Sequence, residues 1–151
     1  MRLTTKGRYA VTAMLDIALH AQSGPVSVQD IARRQDISSN YLEQIVGRLK
    51  RAALLASHRG PGGGYKLGRC LDEISISDIV IAVDEGVDAT RCRGRADCQE
   101  GHMCLTHDLW ADLSEQIDSF LQGITLQSLV DRESVTAVAR RQADLISATQ
   151  L

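Results

Sequence analysis

Three cysteines and a histidine fall in the segment RCRGRADCQEGHMCLTH, residues 91–107. Cys92, Cys98, Cys104 and His107 are spaced C-x5-C-x5-C-x2-H. Thiolates and a neutral imidazole are soft donors, and their shared chemistry is metal binding. Three thiols held close resist ionising together, because like charges oppose one another. A bound cation reverses this, since the thiolate is the ligand form. Three Cys and one His satisfy tetrahedral zinc, but structural zinc sites usually carry shorter knuckles than these five-residue gaps. The wider gaps suit a larger object such as an iron–sulfur cluster, which is ordinarily held by four thiolates or by two Cys and two His. Spacing alone leaves cluster and zinc both open, with a disulfide or idle thiols as a third reading. His102, inside the same segment, rivals His107 as the fourth donor.

The segment cannot be an ordinary core element. It is nearly devoid of apolar residues and has no period of 2 or 3.6. Its spacers are Gly, Arg, Asp, Gln and Glu. Long loops of this kind inside compact domains are usually functional or disordered, and a metal would order this one.

The elements on either side must position it. A first helix is expected from about Lys6 to His20, with an inward stripe of Ala10, Val11, Met14, Leu15, Ala18 and Leu19. Arg2, Lys6 and Arg8 at its start can reach phosphates. Gly24-Pro25 ends that segment. Ser27 caps a short second helix that turns Ile31 and Ala32 inward and stops near Gln35-Asp36. Ser38 starts a third helix, with Ile37 and Leu42 as a hydrophobic staple and Leu42, Ile45, Val46 and Leu49 inward. Asn40, Glu43, Gln44, Gly47 and Arg51 then face out. That layout fits the recognition helix of a helix–turn–helix, in which Asn and Gln pair with adenine and Glu accepts from cytosine.

Two short strands follow, Leu54–Ser57 and Tyr65–Leu67, around Arg59-Gly60-Pro61-Gly62-Gly63-Gly64. This hairpin reads as the wing of a winged helix. Its glycines let backbone approach backbone, and Arg59 at the tip is placed for a narrow minor groove. A phosphate loop is excluded, because there is no G-x4-G-K-[ST] and no helix opens after the glycines. A fourth helix runs from Ser75 to Val83 with Ile76, Ile79, Val80 and Val83 inward. Cys70 is expected to be a small buried residue or an idle thiol.

After the cysteine segment comes the longest amphipathic helix, about Thr106 to Gln122, stopped at Gly123. Leu109, Leu113, Ile117, Phe120 and Leu121 form its apolar face, and Asp108, Asp112, Glu115 and Asp118 its acidic face. Pairing with a second copy is the favoured use of the apolar face, since dimeric helix–turn–helix proteins read two half-sites. Thr125 caps one more short helix through Val130. The tail beyond Asp131 has weak periodicity and is expected to be mobile.

Charge supports this division. Residues 1–70 hold 11 Lys/Arg against 4 Asp/Glu, residues 71–151 hold 6 against 15, and a net of −2 conceals the contrast. A basic half is the footprint of a nucleic-acid partner. With 44% apolar residues the chain is globular, and 3% aromatics suits a Leu/Ile/Val/Ala core. There is no apolar run long enough for a transmembrane helix and no signal-peptide pattern. A cytoplasmic protein without membrane contact is therefore expected, and that setting disfavours disulfides. No catalytic triad, paired carboxylates or phosphate loop points to an enzyme.

MRLTTKGRYAVTAMLDIAL, YLEQI, RGPGGGY, AVDEGVDATRC and CLTHDLW carry a resemblance. Over about residues 1–135 the chain resembles the IscR family of bacterial iron–sulfur cluster regulators. The resemblance implies a homodimeric winged-helix transcription factor that carries a [2Fe–2S] cluster on Cys92, Cys98, Cys104 and His107. The cluster-assembly machinery would be its donor. It implies that the cluster-bound form represses the assembly genes while the cluster-free form still binds a second class of sites. Glu43 would discriminate between the two classes, Arg59 would enter the minor groove, and Tyr41 and Gln44 would lie at the DNA.

The expected fold is mainly α with a small β-hairpin. Residues 1–84 form a winged helix–turn–helix, 85–107 the cluster loop, 108–132 a long dimerisation helix region and 133–151 a tail. The expected DNA-facing residues are Asn40, Tyr41, Glu43, Gln44, Arg59, Gly60, Gly62 and Gly63, and the partner is double-stranded promoter DNA. A winged-helix regulator with structural zinc is the alternative. An iron–sulfur electron carrier would leave the wing and the basic half without a purpose.

Overall fold

The structure, a computed structural model, describes residues 4–84 and 86–149. Arg2 lies outside them, as do the last two positions of the expected tail. Among the described residues are helices α1 (Thr5–His20), α2 (Val28–Gln35), α3 (Ser39–Arg51), α4 (Ile76–Val83), α5 (His107–Gln122), α6 (Leu126–Val130) and α7 (Glu133–Thr149). One antiparallel hairpin joins β1 (Leu55–His58) to β2 (Gly64–Leu67). The mainly helical winged fold expected from the sequence is the fold observed. No helix among the described residues is long and apolar enough to cross a membrane.

Local chemistry sets the boundaries. Thr4, Ser27, Ser75 and Thr125 each accept a backbone N–H through the side-chain oxygen at the first turn of a helix. Ser75 and Asp78 close a reciprocal capping box at α4. Ser38 precedes α3 without such a bond, so that helix relies on its buried stripe. Leu42, Ile45, Val46 and Leu49 are all shut from solvent, as are Ile76, Ile79, Val80 and Val83 of α4. On α1 the inward face is rotated from the expected stripe. Ala10, Ala13, Met14 and Ile17 are buried, whereas Val11 and Leu15 pack only at the margin of the core.

The hairpin pairs Leu55 with Leu67 and His58 with Gly64. Val26 extends the sheet, its N–H donating to Tyr65 O at 2.9 Å and its carbonyl accepting from Tyr65 N at 2.8 Å. Gly60-Pro61-Gly62-Gly63 is a turn closed by Gly63 N to Gly60 O at 2.9 Å. Proline at its second position and Gly62 at φ 72° fit a type II turn.

Three features go beyond the sequence reading or narrow it. Asp16, central in α1, is buried and accepts Arg34 Nε at 2.9 Å, Arg34 Nη2 at 2.8 Å and Gln35 Nε2 at 2.8 Å. Hydrogen bonding to Asp16 raises the Arg34 guanidinium, against its partial burial. The segment expected to be a mobile tail is the long helix α7. It docks on α2 through a reciprocal amide pair, Gln35 Nε2 to Gln142 Oε1 at 2.9 Å and Gln142 Nε2 to Gln35 Oε1 at 3.0 Å. Its apolar content is modest, so periodicity understates a helix anchored by polar contacts. Of the two readings of Cys70, the buried one is excluded, because the residue is exposed on the connection between β2 and α4.

Candidate metal centre and nucleic-acid interface

The long loop between α4 and α5 turns its donors inward. Cys92 is 6% exposed and His107 8% exposed, although nearly all their neighbours face solvent. His107 Nδ1 lies 3.4 Å from Cys92 Sγ and 3.8 Å from Cys98 Sγ. One ligand atom from each of these three residues lies within 4.8 Å of the other two. Cys104 belongs to the same constellation at one remove. Its backbone N–H donates to Cys98 Sγ at 3.1 Å, while its own thiol lies 3.9 Å from Thr106 Oγ1. A cavity of about 450 Å³ opens beside Cys98, Cys104 and His107, bounded by Thr90, Leu105 and Trp110. His102, the rival donor, is exposed and tied into a bridge with Gln99 (2.8 and 2.9 Å).

The backbone is shaped around the sulfurs. Arg93, Ala96 and Glu100 adopt left-handed φ values of 57°, 60° and 48°, next to Gly94 and Gly101 at 79° and 82°. Each non-glycine in that region costs about 1 kcal/mol or more. Left-handed residues beside right-handed ones aim successive N–H groups at a common point and form an anion nest. Burial pushes the Cys92 thiol up, but N–H groups of Ala96, Asp97 and Gly94, with the Thr90 hydroxyl, outweigh it and bring it down to about 7. The Cys104 thiol is held down chiefly by its hydrogen bond with Cys98, whose own thiol is raised by the same contact. Cys92 and Cys104 are thus eased toward the thiolate, the form that binds soft metals, while Cys98 is not.

Two elements hold the loop in place. At its start Asp88 makes a tight turn with Thr90, and Ala89 N donates to Ser114 Oγ of α5 at 2.7 Å. At its end His107 opens α5, where Trp110 Nε1 donates to Thr106 Oγ1 at 3.0 Å. Helix α5 meets its own domain through Asp118, which accepts from Ser77 Oγ at 2.8 Å. Asp118 therefore does not belong to the outward acidic face expected from the sequence. Of the expected apolar face, Leu109 is 58% and Phe120 66% exposed, while Leu121 touches the core.

Asn40, Glu43 and Gln44 are exposed on α3, and Arg59, Gly60 and Gly62 are exposed at the wing tip. Tyr41 is half-buried, its ring edge-on to Tyr9 at 5.7 Å, so it also braces α3 on α1. A Cβ at Gly60 or Gly62 would meet nothing within 4 Å, which leaves that face of the tip open. A Cβ at Gly63 would strike the His58 carbonyl, so this glycine serves the hairpin itself. Sequence reasoning missed the Asp16–Arg34–Gln35 cluster, whose one signal was a carboxylate set among apolar helix positions.

The Rrf2 family, described as iron-dependent transcriptional regulators, matches residues 3–132. The chain is 60% identical over 142 residues to an HTH-type transcriptional regulator IscR of Serratia proteamaculans, covering 94% of this chain and 87% of that relative. A Yersinia pestis protein of the same name is 59% identical over the same shares. Among solved structures, IscR of T. potens aligns with a TM-score of 0.71 at 34% identity, covering 86% of each chain. CymR, the global cysteine regulator of B. subtilis, aligns at 0.74 and 32%, covering 86% of this chain and 96% of that one.

Proposed function

The chain belongs to the Rrf2 family of iron-dependent transcriptional regulators, and from that premise we propose that it reads iron–sulfur cluster status through its cysteine loop and answers by binding promoter DNA. It is a DNA-binding transcriptional regulator and not an enzyme. In the proposed reading a [2Fe–2S] cluster is held by Cys92, Cys98, Cys104 and His107. The observation that carries this is the convergence of Cys92, Cys98 and His107 Nδ1, in a loop whose own N–H groups favour thiolate. The donor set fits the group. Three thiolates and a neutral imidazole match soft iron ligation, and N–H···S bonds are a recognised means of tuning such centres.

When bound, the cluster would supply a tie between the loop and the first turn of α5. The chain's residues do the rest. His107 and Cys104 bracket the start of α5, and Cys92 sets the loop's entry. The exposed Leu109 and Phe120 on α5 favour a homodimer in which two copies present two half-sites. Asn40, Tyr41, Glu43 and Gln44 face base edges, Arg59 enters the minor groove, Gly60 and Gly62 let the wing backbone approach the duplex, and Gly63 holds the turn that presents them. The protein works in the cytoplasm, receives its cluster from the assembly machinery and represses the assembly genes while loaded.

An anaerobic visible spectrum with iron, sulfide and zinc assays tests this reading. Charge-transfer bands with equal iron and sulfide, lost in His107→Ala, are expected. A colourless protein that holds zinc and forms no cluster on reconstitution would replace it with a structural-zinc regulator. Separately, Arg59→Ala should cost on the order of 1–3 kcal/mol in a duplex titration. In the cluster-free protein, Glu43→Ala should open binding to cluster-dependent sites, and unchanged selectivity would remove Glu43 from the gate.

A further inference from the structure

Between the recognition helix and the cysteine loop lies a cleft of about 510 Å³. Lys6 from the first turns of α1, Arg48 from the last turn of α3 and Arg93, next in sequence to Cys92, line it against one carboxylate, Asp84. That carboxylate already accepts the Thr4 hydroxyl at 2.6 Å. Arg48 donates one N–H through Nη1 to the Val83 carbonyl at 3.0 Å. This bond fixes the guanidinium at the end of α4, and a guanidinium has further donors for an anion. Lys6 and Arg48 also line a narrow cleft with Tyr41 and Gln44. The cationic cleft therefore runs on into the side of α3 that carries two of the proposed DNA-facing residues. Arg93 is exposed. Asp88, held down mainly by its bonds to Thr90, feels Arg93 only as its weakest influence.

We propose that Lys6, Arg48 and Arg93 form a backbone-phosphate site through which the cysteine loop itself touches DNA. Grouped cations beside a recognition helix meet the anion found on either side of a DNA groove, its phosphates. Lys6 and Arg48 stand on helices of the packed core. Arg93 stands on the loop, one residue from Cys92, so its place depends on the loop's order. Loading the loop then adds affinity of a sequence-independent kind, separate from any selection made by Glu43. The proposal rests on the reading of α3 as DNA-facing.

The test is fluorescence anisotropy of the full-length, anaerobically loaded protein on a selected and on a scrambled duplex across a salt series. Relative to wild type, Arg93→Ala should weaken both duplexes by the same factor, roughly three- to tenfold. The slope of log K against log salt should fall by about 0.9 for each loop that touches DNA. Lys6→Ala, which leaves the loop intact, should do the same, and Arg140→Ala on α7 should not. Unchanged slopes in both Arg93→Ala and Lys6→Ala, with wild type still binding, would overturn this site and leave the DNA-binding reading standing. No binding by wild type would overturn both. An Arg93-dependent stabilisation by inorganic phosphate with no change in the DNA slope would assign the cleft to a free anion and overturn the proposal.

Discussion

Along α3 every residue of the inward stripe is shut from solvent, whereas along α5, three residues longer, only His107 is buried. The winged-helix half is held by apolar burial, with Ile31, Leu42, Leu49, Ile74 and Ile79 at its centre. The half that follows Val83 has almost no such core. Its loop holds unfavourable φ values at Arg93, Ala96 and Glu100, and its long helix shows Leu109 and Phe120 to solvent. One half is held by an apolar core that also takes in Leu126 of α6. The other is arranged around donors and an outward face, and in the proposed reading its stability depends on what binds there. In the proposed reading, detector and reader can then differ in mobility within one chain, because low local stability is what a responsive element requires.

The largest expected effect tests whether the reader half stands on its own core. Asp16→Ala leaves Arg34, which is 12% exposed, without its carboxylate. Breaking a buried pair from one side costs about 3–5 kcal/mol. Urea unfolding followed by circular dichroism should show that loss in α1–α4, with the cluster spectrum kept below the transition. A loss below about 1 kcal/mol would mean that this polar cluster is incidental to the core. Ser77→Ala comes next, since it removes the bond that ties α5 to α4. A hydrogen bond to a charged group is worth about 1.5–3 kcal/mol, and the lower end applies because Asp118 is only half-buried. Fluorescence of Trp110, the single tryptophan, should report earlier loosening of α5 than circular dichroism reports for the core. Coincident transitions would show that the two halves unfold as one.

These contrasts also explain what could be read from the sequence. Leu42, Ile45, Val46 and Leu49 announced α3, and Ser75 with Asp78 announced α4, because burial and capping are local rules with a fixed period. Cys92 and Cys98 were legible by chemistry alone, since no packing residue explains donors in a polar loop, whereas His107 was separated from His102 only by the family resemblance. Three things were not legible. The rotation of α1 follows from its neighbours, since it packs on α4, α3, α6 and β2 together, and which face they enclose is not a local signal. The pairing of Asp118 with Ser77 joins residues far apart in sequence. Helix α7 is anchored by Gln35 and Gln142, and a polar anchor has no periodic signature.

Helix α7 gives the third way to sharpen the comparison. It lies beyond residue 132, where the family match ends, yet it docks on the reader half and not on the loop. Gln142→Ala removes one side of the amide pair and should cost about 1 kcal/mol. Hydrogen exchange should quicken along α7 and leave α3 unchanged. Quickening in α3 as well would make the helix a brace for the proposed recognition helix.

The smallest expected effect bears most directly on the division between halves. Cys92→Ser changes one atom at the entry of the loop and removes a proposed ligand. The core, Ala10 to Val83 with Leu126 of α6, does not include Cys92, so its unfolding free energy should move by no more than about 0.5 kcal/mol. Exchange protection in residues 92–107 should disappear in the same variant even when cluster is supplied, because the N–H groups aimed at Cys92 Sγ lose their thiolate. If instead the whole winged helix loses several kcal/mol, the loop is part of the fold's foundation. The proposed sensing would then have to work through global stability rather than through a mobile segment attached to a rigid reader.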